Sequence, residues 1–484
     1  MSIQLLTVTI IFFLTLPFLL LIINKNSKSK KPSASNVLPK RYPIIGSYFA
    51  VKSNLSNRVQ WITQILHNCP TATYTLHHVL GYRQIFTANP ENTRFSNYPK
   101  GSFFTSVFFY FLGNGIFNVD GESWKFERQV SSHEFNTKSL RKFVETIVDT
   151  ELHDRLIPML SGAASDKTVL DLQDVLQRFA FDNVCKIAFG HDPACLLPSL
   201  PQTEFADAFE VATQLSSERF RAPILIFWKI KRFFNVGSEK CLKIAISRVC
   251  DFAKKIVREN KSSLESVDLL SRFLNSGHSD EDFATDIVIS FILFGRDTTS
   301  AALTWFFWLI YKHPEVENEI LKEIKEKSDM PVYEEVKDMV YVHASLCESM
   351  RLYPPVPTDG KLAMEDDVLP DGTVVKKGTL VTYAPYAMGR MEKIWGSDWS
   401  MFKPERWLER DEAGKWRFAG PRICLGKEMA FLQMKRVVAG ILRRFKVVPA
   451  TEDDGFQPVF LAYLTAKMKG GFPIKVERSS RFMD

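Results

Sequence analysis

Apolar side chains recur every three or four residues along most of the chain, which is the spacing of a helix with one buried face. The stretches with this spacing, or with a high content of helix-forming residues, are 138–160, 170–190, 203–217, 238–275, 281–312, 315–327 and 425–446. β-branched residues punctuated by Gly and Pro, a pattern typical of short strands, cluster at 72–87 and 361–384. No Pro/Gly/Ser-rich linker follows residue 46. The pattern therefore predicts one large domain that is mainly α with a small β portion.

The N-terminus carries a different pattern. Residues 3–23 are uncharged and almost wholly apolar, and at ~1.5 Å per residue they make a helix of roughly 31 Å, about one hydrocarbon core. A basic stretch follows at once: Lys25, Lys28, Lys30 and Lys31. Positive charge on this side of a span predicts that the rest of the chain stays in the cytosol.

A cleaved signal peptide is the alternative interpretation of this segment. Such peptides begin with a basic region and end in a small-residue cleavage site, and neither feature is found here. We therefore predict a membrane anchor over 1–23, a basic and proline-containing hinge over 24–46, and a catalytic domain over 47–484.

Charge and cysteine content narrow the classes of protein. The net charge of the 484 residues is +7, but no Asp or Glu precedes Glu91, so the excess of basic residues belongs to the N-terminus. No nucleic-acid partner is implied by this distribution. The seven cysteines include no CxxC pair, which excludes a zinc ribbon and fits reduced thiols in a protein that faces the cytosol.

One cysteine stands in a distinctive loop. Cys424 lies in a Gly- and Pro-containing string, residues 418–427, just before an apolar helix. A helix N-terminus stabilises negative charge and lowers the pKa of a thiol. A lone Cys is more often a small buried apolar residue, so the surrounding string carries the hypothesis that this thiolate binds a metal.

The helical stretch over residues 282–312 is apolar on all sides, and we expect it to be buried. Gly295 costs ~1 kcal/mol in mid-helix, which suggests that another element packs closely there. Asp297, Thr298 and Thr299 follow it, and hydroxyls in such a place can bond back to the preceding turn. The plainer alternative is a central helix with one solvated polar patch.

A third pattern is Glu348 and Arg351, three residues apart near the end of a predicted helix. Residues at this spacing share a face, and Arg can bind a carboxylate with two parallel hydrogen bonds. A surface ion pair is the ordinary outcome, but the neighbouring residues 346–347 and 352–355 favour burial. Arg406 is a further cation that can join the same network.

Together these patterns resemble the cytochrome P450 superfamily of haem-thiolate monooxygenases, over nearly the whole chain. The resemblance implies the cytochrome P450 fold behind one N-terminal transmembrane helix, with haem b as the cofactor and an axial thiolate. It implies roles for ten positions. The metal ligand is Cys424, the haem propionates are bound by Trp124, Arg128 and Arg422, and the catalytic proton path includes Asp297 and Thr298. The structural triad is Glu348, Arg351 and Arg406, and Gly295 belongs to the helix that carries Thr298.

Four shorter strings resemble the plant fatty-acid ω-hydroxylase group within this superfamily: residues 97–101, 117–124, 386–392 and 426–430. This resemblance implies hydroxylation of a fatty acid or related oxylipin at or near the ω end. It also implies electrons from an NADPH-dependent flavin reductase, and a place in the endoplasmic reticulum membrane with the catalytic domain in the cytosol. A jasmonate–amino-acid conjugate is an alternative substrate. An isomerase-type haem-thiolate protein is disfavoured, because those relatives lack the Asp-Thr pattern.

The apolar substrate is assigned to the aromatic run from Phe103 to Phe117, which can line an apolar channel. The alternatives are a loop that rests on the bilayer and ordinary core packing.

The chain also departs from the family in three places. Arg417 stands where the family has Phe, and the segment 409–416 is shorter than usual by about a dozen residues, judged from the resemblance. Phe294 replaces a small residue on the long helix, and residues 89–96 lack a short helix. These changes leave one more alternative, a membrane protein that holds haem poorly and is inactive because its haem loop is short.

Overall fold

The computed structural model describes residues 38–93, 97–132, 136–197, 199–200, 204–222, 224, 226–262, 268–275, 280–408, 424–450 and 457–479. The predicted anchor over 1–23 lies outside them, as does most of the predicted hinge. The described residues from Arg41 onward form one compact unit. Within them the chain is mainly helical with small sheets, as the sequence predicts.

The helices of the first half precede and follow two strands. They are α1 (Tyr48–Ser53), α2 (Arg58–His67), α3 (Gly101–Leu112), α4 (Gly121–Ser132), α5 (Thr137–Lys142), α6 (Asp149–Glu151), α7 (Ile157–Asp166), α8 (Leu172–Phe189), α9 (Glu204–Arg221), α10 (Ile226–Phe233), α11 (Ser238–Ser262) and α12 (Leu269–Asn275). Two π-helical turns, Phe143–Val148 and Leu152–Leu156, join α5, α6 and α7 into one continuous helical run.

The second half begins with the longest helix. Its helices are α13 (Glu281–Lys312), α14 (Pro314–Lys325), α15 (Tyr333–Lys337), α16 (Val340–Leu352), α17 (Pro385–Met388), α18 (Glu392–Trp395) and α19 (Lys427–Arg444). Single 3₁₀ turns occur at Val79–Gly81, Pro90–Asn92 and Pro404–Trp407. The sequence predicts that the short helix usual in the family is missing from residues 89–96. At the Pro-Glu pair the structure has a single 3₁₀ turn, Pro90–Asn92.

The strands are short. They are β1 (Thr73–His77), β2 (Arg83–Thr87), β3 (Leu170–Asp171), β4 (Asp359–Leu362), β5 (Asp367–Val368), β6 (Val374–Val375), β7 (Leu380–Tyr383), β8 (Phe445–Pro449), β9 (Phe460–Ala462), β10 (Ala466–Met468) and β11 (Pro473–Arg478). The largest sheet has the order β1-β2-β7-β4, in which β2 and β7 are parallel and the other pairs are antiparallel. The strands after α19 lie beyond the predicted clusters.

Helix α13 is the central element. Asp280 caps its N-terminus by accepting a hydrogen bond from Phe283 N (3.1 Å), and Pro314 follows its last turn. Most of its side chains are buried, and it packs against α8, α11 and α16. It is long and apolar enough to cross a bilayer, the one such helix among the described residues, but most of its apolar window is buried inside the protein. The prediction that this helix belongs to the core is confirmed.

Candidate active site

Cys424 lies immediately before α19, where Gly426 is the N-cap residue. The residue is exposed as a whole, yet its surroundings affect the thiol. Partial burial raises its pKa, while the Gly426 N–H and the positive charges of Arg128 and Lys427 act in the opposite direction. A thiol at a helix N-terminus beside an arginine is a donor set that suits a cofactor with a soft metal and anionic groups.

Trp124 and Arg128 share one face of α4, one turn apart. The guanidinium of Arg128 lies 5.4 Å from the centre of the Trp124 ring, and its charge reaches the Cys424 thiol. The structure therefore brings these two sequence-predicted residues to the same side of the domain as the candidate ligand. Arg422, the other predicted propionate partner, lies outside the described residues.

The centre of α13 approaches α8 closely at Gly295. A Cβ atom on this glycine would lie 2.5 Å from a methyl carbon of Val184, so a larger residue would push the two helices apart. The prediction that another element presses on Gly295 is confirmed. This close approach fixes the position of the residues that follow on the helix.

Thr298 and Asp297 point in different directions. The Thr298 hydroxyl donates to the Phe294 carbonyl one turn earlier (2.5 Å). Asp297 is buried and accepts a long hydrogen bond (3.5 Å) from the hydroxyl of Thr465, next to β10. Burial raises the pKa of Asp297, and the charges of Arg296 and Lys467 oppose that shift.

One carboxylate oxygen of Asp297, Oδ1, has no hydrogen-bond partner among the described residues. Arg296 Nη1 lies 3.5 Å away, but the two atoms do not form a hydrogen bond. This oxygen keeps its capacity to accept a proton or a hydrogen bond from a small molecule.

Phe294 is covered by another aromatic ring. Its ring stacks on Phe117 from the loop before α4, with centroids 3.5 Å apart and an angle of 26° between the planes. The sequence departs from the family at this position, and a phenyl ring here is expected to narrow the space over the haem iron. The structure adds that this group ties the aromatic run to α13.

Glu348 and Arg351 form a buried ion pair on α16. Arg351 Nε and Nη2 each donate to a different oxygen of Glu348 at 2.8 Å, and the side chains are 0% and 1% exposed. Arg406 Nε donates to the same carboxylate at 3.0 Å. The structure thus brings together the three residues of the predicted triad.

The carboxylate of Glu348 receives more bonds than the sequence indicates. Trp407 Nε1 donates at 2.9 Å and the backbone N–H of Lys403 at 3.0 Å. Burial opposes ionisation of Glu348, but Arg351 and these donors outweigh it, so its pKa lies below its ordinary value. Arg351 also donates to the carbonyls of Gly389, Trp399 and Met401. The network fastens α16 to the segment that leads towards the Cys424 loop.

The aromatic run from Phe103 to Phe117 forms α3 and the turn after it. The alternative of a loop on the bilayer is therefore wrong for its first part, because residues 101–112 are helical. Phe104 and Phe108 contact each other and Phe220 of α9, and both line a cavity bounded by α2, β2, β7 and the end of α9.

Two arginines in the wall of this cavity, Arg58 and Arg221, were not among the predicted site residues. Arg58 begins α2 and Arg221 ends α9, so 163 positions separate them along the chain. No motif marks either residue. Both arginines have apolar neighbours in the sequence, but this pattern does not indicate that the two helix ends meet.

These elements define a class of protein: a mainly helical domain with a thiol at a helix N-terminus and a long buried helix that carries an acid and a hydroxyl. Residues 38–465 match the family described as Cytochrome P450, and the chain belongs to that family. It is a haem-thiolate monooxygenase that acts on fatty acids or related oxylipins, and its cofactor is haem b.

Relatives from plants cover almost the whole chain. Cytochrome P450 94A2 of Vicia sativa is 58% identical over 97% of this chain and 98% of its own length. Cytochrome P450 94A1 of the same plant is 59% identical over 91% of this chain and 90% of its own. Cytochrome P450 94B1 of Arabidopsis thaliana is 47% identical over 94% and 93%.

Proposed function

We propose that this protein hydroxylates a fatty acid at or near the end of its chain, with Cys424 as the axial ligand. The position of Cys424 carries the proposal, because the thiol precedes α19 while the cation of Arg128 lies close to it. Trp124 and Arg128 would hold a propionate of the haem, and Arg422 is assigned the same role from the sequence. When bound, haem supplies the oxygen chemistry, and its thiolate ligand favours cleavage of the O–O bond.

The side chains of α13 have separate tasks in this proposal. The Thr298 hydroxyl, which now donates to Phe294 O, can turn to donate a proton on its free side. Asp297 Oδ1 can accept and pass on a proton, since its other oxygen is held by Thr465. Phe294 and Phe117 exclude water from the apolar side of this helix.

We expect Thr298→Ala to separate reductant use from product formation. Proton transfer by a positioned side chain contributes about 10²–10⁴-fold to rate, so product should fall by about 10²-fold while NADPH is still consumed and peroxide is released. The measurement is the ratio of hydroxylated fatty acid to NADPH oxidised. Thr304→Ala is the matched control, because Thr304 on the same helix makes the same backbone bond, to Ser300 O at 2.8 Å. Equal ratios in both variants would assign Thr298 a structural role only.

We also propose that the catalytic domain lies on the cytosolic face of the endoplasmic reticulum membrane and takes electrons from an NADPH-dependent flavin reductase there. Helix α10 supports the first part. It exposes Phe227, Ile230 and Phe233 (52%, 41% and 84%) beside basic residues at 229, 231 and 232. Apolar groups flanked by cations suit an interface with anionic lipid.

The proposed function is tested on the chain as it stands. The full-length protein is co-expressed with a plant flavin reductase, and haem per protein, the reduced CO-difference spectrum and fatty-acid products are measured. A thiolate-type band with chain-end hydroxylated products supports the proposal, and a jasmonate–amino-acid conjugate is offered in parallel. If the haem-loaded protein oxidises only the conjugate, the substrate is the conjugate and the fatty-acid proposal is wrong.

The second part of this test concerns the short haem loop. Its residues, 409–423, lie outside those that the structure describes. The alignment with the 94A2 relative covers 502 positions, more than the 484 residues of this chain, so the relative has residues with no counterpart here. We expect the chain to hold less haem than one with about a dozen residues restored between Phe418 and Ala419, because a misplacement of ~1 Å can cost ~10² in activity. Full haem occupancy in the unmodified chain would show that the short loop is harmless.

A further inference from the structure

The cavity between α2, α9 and the largest sheet is lined by both charged and apolar side chains. Phe104, Phe108, Phe220 and Leu464 provide the apolar surface, and Arg58 and Arg221 lie in its wall. Leu464 is followed by Thr465, whose hydroxyl contacts Asp297 on α13. The apolar lining is therefore linked, through Leu464 and Thr465, to the helix that carries the proposed catalytic residues.

Arg58 has neutral partners only. Its Nη1 donates to the carbonyl of Arg221 (3.0 Å), and its Nη2 makes a long bond to Gln84 Oε1 (3.4 Å). Gln84 is itself held in place, because its Nε2 donates to the Thr382 hydroxyl at 2.8 Å. Across the described part of the chain, no carboxylate oxygen lies within 4.0 Å of the Arg58 guanidinium.

Arg221 is placed in the same way. Its Nε makes a long bond to the carbonyl of Ser217 (3.4 Å), and its guanidinium lies 5.3 Å from the ring centre of Tyr463. It too has no carboxylate within 4.0 Å among the residues described. Glu218 is the acid whose charge acts on it most directly, and that residue is exposed.

The surroundings of both arginines disfavour their positive charge. Burial, followed by the charge of Arg221, lowers the pKa of Arg58 to about 10. Burial likewise lowers the pKa of Arg221. Arg58 and Arg221 are both half-buried, and a cation that is partly removed from water gains from pairing with an anion, so the pair is suited to a negatively charged ligand.

The acid that lines the cavity does not supply this anion. Asp359 binds Lys100 Nζ at 2.7 Å and Lys361 Nζ at 3.1 Å. Although burial opposes its ionisation, the two lysines hold its pKa well below the ordinary value. Its charge is thus balanced by lysines, and the positive charge of Arg58 and Arg221 remains in the cavity.

We propose that Arg58 and Arg221 bind the carboxylate of the fatty-acid substrate and thereby fix which carbon reaches the active site. Two guanidinium groups offer planar donors that match a carboxylate, and the aromatic residues Phe104, Phe108 and Phe220 cover the hydrocarbon. Held at its acid end, the chain extends past Leu464 towards Asp297 and Thr298. This inference rests on the proposed function and explains why oxidation occurs at the far end of the molecule.

The test compares a free fatty acid with its methyl ester of the same chain length. In Arg58→Met and Arg221→Met we expect KM for the acid to rise by about 10- to 100-fold, which is the range for loss of a charge-assisted hydrogen bond. KM for the ester should change by less than about threefold, because the ester brings no charge to the cavity. The products should also spread from the chain end to inner carbons.

Arg83→Met is the matched control, since Arg83 is an exposed arginine next to Gln84 on β2. It should leave the acid and the ester unchanged. Equal losses for acid and ester in the Arg58 and Arg221 variants, or no loss for the acid, would overturn the proposal. Thermal unfolding of each variant verifies that it is folded.

A binding measurement on the unmodified protein needs no variant. By calorimetry the acid should bind at least tenfold more tightly than its methyl ester, and more tightly than an alkylamine of equal length. Equal affinity for all three would contradict the inference even if the variants fail to fold. If the acid binds selectively but is not hydroxylated, the proposed function fails and the carboxylate site stands.

Discussion

Cys424→Ser is expected to abolish the thiolate-type band in the reduced CO-difference spectrum and all fatty-acid hydroxylation, while the protein remains folded. A serine hydroxyl does not replace a thiolate as the electron-donating ligand. The fold should persist because Cys424 is exposed and contributes little to the core. The measurements are the CO spectrum, the haem content and product formation by the full-length protein with its reductase.

Cys241→Ser is the control for this variant, because Cys241 is the other exposed cysteine among the described residues and lies on α11, away from α19. It should have the spectrum and activity of the unmodified protein. If Cys424→Ser keeps the thiolate-type band, another cysteine is the ligand and the proposed site is wrong.

The sequence predicts the long elements of this fold better than the short ones. Helices α8, α9, α13 and α19 lie close to the predicted stretches, because each is long enough for its periodicity to show. Helix α4 is not predicted, because the segment that contains Trp124 and Arg128 is polar and only weakly periodic. Strand β11 pairs with β3, about 300 residues earlier in the chain, and such pairing leaves no local pattern.

The candidate site shows the same limit. The spacing of Glu348 and Arg351 predicts their contact, because residues three apart on a helix share a face. The bonds from Trp407 Nε1 and Lys403 N depend on the later chain returning to α16, which no local pattern contains. Asp297 and Thr298 are likewise adjacent in sequence, yet their side chains bond to different elements.

Arg58 and Arg221 are the site residues that the sequence reveals least. Arg58 lies in a segment whose other residues suggest only an amphipathic helix, and Arg221 ends a helix far along the chain. The two arginines share one environment only through tertiary packing. Their positive charge is left unbalanced in the cavity because Asp359 is already paired with lysines. Residues that recognise a substrate are thus less visible in one sequence than residues that hold a cofactor.

Glu348→Gln should lower the free energy of unfolding by about 3–5 kcal/mol, which is the typical cost of removing one partner from a buried ion pair. The amide keeps the size of the side chain but leaves the charges of Arg351 and Arg406 without their carboxylate. Arg351 is 1% exposed, so water cannot replace the lost anion. Denaturant unfolding of both proteins measures the difference, and haem content should fall with it, because Arg406 and Trp407 precede the Cys424 loop.

Glu122→Gln is the matched control, because Glu122 and Lys125 form an ion pair with the same three-residue spacing on α4. Their side chains are 89% and 65% exposed, and such surface pairs contribute about 0–1 kcal/mol. Both variants remove one carboxylate charge from an ion pair with the same spacing on a helix. A difference in their stability loss therefore reports the effect of burial. If the two substitutions lower stability equally, the Glu348 network does not fasten α16 to the segment before the loop, and the haem loop must be held in place by other contacts.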